Sequence, residues 1–174
     1  MEYKLLENEI DELVQLYTKN NWPYHGNNQV SEESIRKFFH EGYYHKDRET
    51  FWIIDNGMKV GLLLIHDIDD TIPLFDIRLD EKYRGQGYGM QALKWLQDYL
   101  FGTKQKIRVE GYTRADNLGM RKCFTRAGFV KEGYLRNAWE NADGTISDTV
   151  LYGAIKEDWE NNRLTPSKID AVPY

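Results

Sequence analysis

The stretch Arg84-Gly85-Gln86-Gly87-Tyr88-Gly89 decides how this chain of 174 residues is read. It stands between an extended apolar run, Ile72 to Leu79, and a segment in which Leu93, Leu96 and Leu100 fall in helical register beside Ala92, Trp95 and Tyr99. A strand that enters a glycine-rich turn and then opens a helix is a place to hold an anion. The first N–H groups of the helix point outward unpaired, and the helix dipole adds positive potential. Gly85, Gly87 and Gly89 let backbone approach a phosphate closely, and Arg84 adds a permanent cation. The missing Gly-Lys-Ser/Thr ending excludes a nucleoside-triphosphate loop. The glycine spacing and mid-chain position do not fit a dinucleotide fingerprint.

On the N-terminal side, Ile10, Leu13, Val14 and Tyr17 place a helix within residues 7–19. A loop from Asn20 to Val30 carries Trp22-Pro23, and Ser31 caps a second helix with Ile35, Phe38 and Phe39 that ends near Gly42. Phe51–Asp55 and Met58–His66 flank Asn56-Gly57, a strong hairpin signal. On the C-terminal side, Gly102 stops the central helix and Ile107–Tyr112 reads as a strand. Asn117–Arg126 reads as a short helix with Met120, Cys123, Phe124 and Ala127 inward, closed by Gly128 with Phe129 packing back. Two extended runs, Val130–Trp139 and Ile146–Ile155, flank a turn at Asn141-Ala142-Asp143-Gly144, and Lys156–Asn162 forms a last helical turn or two. The order α, α, β, β, β, α, β, α, β, β predicts a mixed α/β layer whose first half is largely antiparallel. The expected organisation is one domain over residues 1–160 and a polar tail over 161–174.

Composition narrows the partners. Hydrophobic residues at 41% and charged residues at 29% describe an ordinary folded chain, not a disordered one. A formal net charge of −5 argues against nucleic acid or an anionic membrane as the main partner, since both need a basic face. Cys123 stands alone and no leader segment is visible at the N-terminus, which points to the cytoplasm. His25, His40, His45 and His66 lack metal-ligand spacing, so no metal is expected. The aromatic content is compatible with a homodimer.

The order and residues resemble the Gcn5-related N-acetyltransferase (GNAT) family. Arg84, Gly87 and Gly89 fill the defined positions of its Q/R-x-x-G-x-G/A motif, and Asn117 with Gly128-Phe129 matches its second motif. Gly87-Tyr88-Gly89-Met90-Gln91-Ala92, Tyr99-Leu100-Phe101, Glu132-Gly133-Tyr134-Leu135-Arg136 and Asp148 with Leu151-Tyr152 look like the branch containing the ribosomal-protein N-terminal acetyltransferases RimJ and RimL. The resemblance implies a central sheet of about six to seven strands, mostly antiparallel, flanked by helices and splayed at the cofactor site. It also implies direct transfer of an acetyl group from acetyl-CoA to a primary amine. Acceptors of three classes stay open: a protein N-terminus, which the branch favours; an aminoglycoside-like or polyamine small molecule; and an amino acid. A coenzyme A-binding sensor without activity is the rival reading.

By the same resemblance, the loop from Arg84 through Gly85, Gln86, Gly87, Tyr88 and Gly89 to Met90 receives the coenzyme A pyrophosphate. The pantetheine arm follows Ile77-Arg78-Leu79, with the Leu79 N–H directed to the thioester carbonyl, and Asn117 bonds the arm from the other side. Two carboxylates, Glu110 and Asp76, are candidate bases for the amine proton. Near Pro73, where the family often carries its carboxylate, this chain has none. Seven residues after Asn117, where the family often has a tyrosine acid, this chain has Phe124, at the cofactor but with no proton to give. Tyr112 and Tyr134 are open substitutes. Trp22 and Tyr24, with Tyr43 and Tyr44, are candidate walls of an amine pocket.

Overall fold

Asn56 and Gly57 both take positive φ, 48° and 77°, and so form the tight turn that a twisted antiparallel pair requires. That turn joins β2 (Arg48–Asp55) to β3 (Met58–His66) at the heart of the sheet. The computed structural model describes residues 1–26 and 30–171. Its seven strands form one sheet in the order β1-β2-β3-β4-β5-β7-β6. The strands outside the hairpin are β1 (Glu2–Leu5), β4 (Leu74–Leu79), β5 (Arg108–Arg114), β6 (Val130–Glu140) and β7 (Ile146–Ile155). The helices are α1 (Ile10–Thr18), α2 (Glu32–His40), α3 (Tyr88–Gln97), α4 (Leu118–Arg126) and α5 (Lys156–Glu160). This is the mixed α/β layer read from the sequence.

Val60, Leu62, Leu63, Leu64 and Ile65 on β3 are all buried, because both faces of the sheet are covered there. Leu63 and Ile65 join Leu93, Leu96 and Leu100 of the central helix on one face. Leu62 and Leu64 join Leu13, Leu16, Trp22 and Ile35 on the other. Alternation along the strand thus splits one apolar run between two cores. Ser31 caps α2 as expected, its Oγ accepting from the Ser34 N–H at 3.2 Å.

Three boundaries differ from the sequence reading. β1 precedes the first helix and pairs with the free edge of β2, from Glu2↔Ile54 to Leu5↔Phe51. Its four residues alternate polar and apolar, Glu2-Tyr3-Lys4-Leu5, a period of two too short for the sequence reading to register; Tyr3, stacked on Trp95 at 4.0 Å, is its anchor. The central helix does not stop at Gly102 but widens into a π-helical turn over Asp98–Thr103. The terminal helix is shorter than read, ending at Glu160.

The decisive feature lies between β4 and β5. β3 pairs with β4 antiparallel from Gly61↔Leu79 to His66↔Leu74, and β5 pairs with β7 from Arg108↔Ile155 to Arg114↔Thr149. Between β4 and β5 a single parallel pair remains, Leu74↔Glu110. Beyond it the strands part, and the β5-facing edge of β4 has no ladder.

Gly61 holds β3 against β4 at that strand's far end. A Cβ there would lie 2.4 Å from the Arg78 carbonyl oxygen, a backbone atom that cannot step aside. Gly61→Ala should cost about 1–3 kcal/mol, the usual range for overpacking. Urea unfolding of the two proteins measures it, and an unchanged midpoint would mean that β4 is free to move.

Candidate active site

Two cavities open where β4 and β5 part. The first, of about 570 Å³, is bordered by the glycine turn, the end of β4, the loop from Trp22 to His25, and α4. The second, of about 470 Å³, is bordered by the middle of β4 and β5, His66 at the end of β3 and Asp67 just beyond it, Trp139 of β6 and the loop from Tyr24 to Gly26. Tyr24, His25, Ile77, Asn117 and Met120 border both, so the cavities meet at those residues.

The first cavity has the chemistry of an anion site. Gly85 and Gly87 have φ of +75° and +92°, conformations that a side chain would strain. At Gly85 a Cβ would meet nothing within 4 Å, so the backbone lies open. Gly87 is the N-cap of α3 and no side chain caps that terminus, which leaves the first N–H groups for a ligand. Lys122 and Arg126 of α4 lie four apart on one face and add two cations to the wall. They are absent from the sequence reading, although their helical spacing after Asn117 was available as a signal. An acidic chain thus concentrates positive charge in one place. The open cradle, unpaired N–H groups and cations fit the phosphates of coenzyme A, and the unladdered edge of β4 fits an extended arm that needs backbone partners.

The residues named from sequence divide between several duties. Leu79, Ile77, Arg84, Gly85, Gly87, Gly89, Met90 and Asn117 border the first cavity. Gln86 and Tyr88 turn their side chains away, Gln86 Nε2 donating to the Lys82 carbonyl and Tyr88 Oη to Asp55, so only their backbone faces the turn. Arg84 donates from Nε to the Leu79 carbonyl at 3.0 Å and from Nη2 to the Asn21 carbonyl at 2.7 Å. It therefore ties the glycine turn to the loop before Trp22. Asn117 caps α4, accepting from the Met120 N–H at 3.1 Å and donating to Thr113 Oγ1 at 3.1 Å.

Phe124 borders the second cavity rather than the first and is 1% exposed. Its ring stacks on Tyr152 at 4.6 Å and meets Phe75 and Phe129 edge-on. A Cβ on Gly111 would lie 2.4 Å from its Cζ, so the para position is pressed against β5. Cys123 is half-buried, and burial pushes its thiol up, away from the thiolate.

Of the aromatic wall, Tyr24 is exposed at both cavities, with the Arg114 guanidinium 5.3 Å from its ring centre. Trp22 is a core residue at 2% exposure, covered by Arg78 at 5.1 Å and Arg84 at 4.9 Å. Tyr44 is buried beside Tyr17, and Tyr43 packs on Phe38; neither borders either cavity.

Both carboxylates named as bases border the second cavity, and both are engaged. Glu110 accepts from Arg108 Nε at 2.8 Å and from Tyr112 Oη at 3.0 Å. Asp76 accepts from Arg78 Nε at 3.0 Å and lies 3.1 Å from His25 Nε2. Burial alone would push the Asp76 carboxyl up; the Arg78 charge and the His25 contact outweigh it and hold the group well below the usual carboxylate range. His66 is pushed down by burial and by Arg48, with Asp76 opposing, and its Nδ1 accepts from Arg48 Nε at 3.1 Å. His25 has one ring nitrogen without a partner among the described residues, Nδ1, and that atom is buried.

The acetyltransferase (GNAT) domain model matches residues 4–130. The chain belongs to the GNAT acetyltransferase family. Its relatives include the ribosomal-protein-serine acetyltransferase of Escherichia coli (strain K12), 29% identical over 169 residues, spanning 88% of this chain and 90% of that protein. They also include the putative ribosomal N-acetyltransferase YdaF of Bacillus subtilis (strain 168), 25% identical over 64% of this chain and 61% of that one. Among solved structures, spermidine N-acetyltransferase from Vibrio cholerae in complex with CoA and spermine superposes with a TM-score of 0.81 at 17% identity, covering 92% of this chain and 98% of that chain. That likeness establishes the fold of this GNAT acetyltransferase, a mixed sheet flanked by helices.

Gly87→Trp would fill the cradle of this GNAT protein and strain its φ. Acetyl-CoA affinity, measured by calorimetry, should fall at least about tenfold, or 1.4 kcal/mol, while the thermal midpoint shows that the chain still folds. Exchanging Lys122 and Arg126 together for alanine should weaken binding less at high salt than at low salt, because the lost term is electrostatic. Equal losses at both salt concentrations would remove these cations from the phosphate site.

Proposed function

We propose that this acetyltransferase moves the acetyl group of acetyl-CoA to the α-amine of a protein N-terminus. Backbone N–H groups from Gln86 to Met90, with Lys122 and Arg126, hold the phosphates, and the open edge of β4 at Ile77 and Leu79 holds the arm. The Leu79 N–H polarises the thioester carbonyl by donating where negative charge develops. The acceptor enters the second cavity past Tyr24, and its nitrogen meets the thioester where the two cavities join.

The charge inventory of the second cavity supports the acceptor class. Three carboxylates border it, Asp67, Asp76 and Glu110. Asp76 is paired with Arg78 and Glu110 with Arg108, so Asp67 alone of the three has no ion pair among the described residues. A polycation wants several free carboxylates along its length, and a single ammonium wants one. An α-amine also has an ordinary pKa of about 7.7–8.0, against about 10.4 for a lysine-type amine, so a substantial neutral fraction exists at neutral pH. The whole-length relative named as a ribosomal-protein-serine acetyltransferase supports the same class.

A thiol-release assay with acetyl-CoA tests the proposal against two acceptors, a peptide beginning with serine and spermidine. The peptide should be turned over with kcat/KM at least about tenfold above that of spermidine, a difference of 1.4 kcal/mol. The reverse preference would make this a polyamine enzyme, and tight acetyl-CoA binding without turnover of either would favour a binding module.

A further inference from the structure

One wall of the second cavity is set by an irregularity in β6, the edge strand of the sheet. The ladder of β6 on β7 runs Tyr134↔Val150 and Leu135↔Thr149, then resumes at Trp139↔Ser147. Four steps along β6 thus match two along β7, so two extra residues lie between Leu135 and Trp139. An unbroken ladder would put Asn137 opposite Ser147. Because the insertion is even, the alternation of faces survives it, and Trp139 stays on the face of Leu135 and Thr149. Through Arg114↔Thr149 and Tyr112↔Leu151 that is also the face of Arg114 and Tyr112. The bulge therefore exchanges an amide for an indole at the cavity wall. Trp139 is half-buried there and borders the second cavity but not the first.

A single carboxylate holds the bulge. Asn137 has φ of +53°, and its N–H donates to Asp148 Oδ1 at 2.8 Å. Tyr134 Oη donates to Asp148 Oδ2 at 2.5 Å. The Tyr134 bond and then the Asn137 N–H hold the Asp148 carboxyl below its usual range, so it is ionised and accepts both. The Asp148 carbonyl also accepts from the Ala115 N–H at 2.8 Å, which ties it to the segment entering α4. Arg114 donates from Nη1 to Asn141 Oδ1 at 2.8 Å and to the Pro23 carbonyl at 3.2 Å, joining the turn after β6 to the loop that carries Tyr24. Trp139 and Tyr24 are thereby fixed on two walls of one cavity.

We propose that Trp139 is a specificity residue for the acceptor, contacting the part of that molecule behind the reacting amine. Asp148 is the positioning residue that holds the β6 bulge and so sets the indole. The reacting nitrogen reaches the thioester where the cavities join, and Trp139 is absent from the residues that border both, so it meets the rest of the acceptor. With Tyr24 and Tyr112 it gives the cavity three aromatic side chains that each carry a polar handle. Planar amides pack on such surfaces, whereas further ammonium groups would want carboxylates that are already committed to Arg78 and Arg108. The chain of a peptide behind its first residue is the chemistry this wall fits. That class rests on the N-terminal acceptor proposed above; the contact itself rests only on an acceptor in the second cavity.

Kinetics and a spectroscopic probe test it together. Trp139→Ala should raise the acceptor KM at least about tenfold and leave kcat within about threefold, the mark of lost uniform binding. The acetyl-CoA dissociation constant should not change, Trp139→Phe should recover most of the loss, and a cooperative thermal transition shows that each variant folds. Asp148→Ala should raise the acceptor KM too, and the double variant should be no worse than Trp139→Ala alone, because both act on one contact. In protein carrying fluorotryptophan at its five tryptophans, the ¹⁹F signal lost in Trp139→Phe belongs to Trp139. That signal should move in Asp148→Ala, and in the wild-type protein with coenzyme A when the serine-led peptide is added. A signal moved by neither that peptide nor spermidine, or an acceptor KM within about threefold in Trp139→Ala, would remove Trp139 from the acceptor wall. Losses that add in the double variant would separate Asp148 from it. The kinetics use whichever of the two acceptors the enzyme acetylates, so turnover of spermidine alone would refute the N-terminal acceptor and leave the Trp139 test intact.

Discussion

Everything at this site depends on one parallel pair, Leu74↔Glu110, and on the ladder's failure to continue past it. A closed β4–β5 ladder would satisfy the backbone of both strands and leave no room for a ligand. Here the closed ladders lie on either side, β3 on β4 and β5 on β7, so each wall of the gap is held by a neighbouring strand. The backbone groups left unladdered along the gap suit a ligand that offers donors and acceptors along an extended arm. The glycine turn lies at the far end of the same strand, so the sheet sets its distance from the junction where the cavities meet.

A second constraint couples donor and acceptor sides through the loop before α2. Arg84, from the glycine turn, donates to the Asn21 carbonyl and covers Trp22. Asn20 accepts from the Glu81 N–H at 2.6 Å, and Arg114 of β5 donates to the Pro23 carbonyl at 3.2 Å. His25 completes the set at Asp76 of β4. Two of these contacts, from Arg84 and Arg114, are charged donors on backbone oxygens, which are stronger than neutral hydrogen bonds. Arg84 therefore reads as a strut as well as a charge. Losing it would loosen the acceptor wall along with the cofactor turn.

Most of the fold was legible because it rests on local chemistry: the Asn56-Gly57 turn, the Ser31 cap, the apolar period of α3, and the Gly128 ending of α4 all declare themselves within a few residues. β1 did not, because its alternation of polar and apolar residues runs for only four positions at the sheet's edge, and the pairing with β2 is what specifies it. In the site, the glycine turn, the β4 strand and Asn117 were readable as a spaced set. The duties of Arg84, Asp76 and Glu110 were not, since each is decided by a partner or neighbour that pattern does not reveal. His25 is the extreme case: its partner lies 51 residues away in sequence. A search for metal spacing among the four histidines had no means of finding an imidazole paired with one aspartate.

Phe124 shows why the leaving group should not be expected to find a phenol. At the position where the family often carries a tyrosine, the ring is stacked on Tyr152, bordered by Phe75 and Phe129, and stopped at its para position by Gly111. The glycine and the phenylalanine define one another: removing the Cβ from β5 makes the space, and the ring fills it. A hydroxyl added at Cζ would enter that contact, where a buried polar group without a partner is costly. The packing that stabilises α4 on the sheet is therefore the same packing that excludes an acid there. A thiolate is a good enough leaving group near neutral pH to depart without one, which places the chemical burden on the amine's proton.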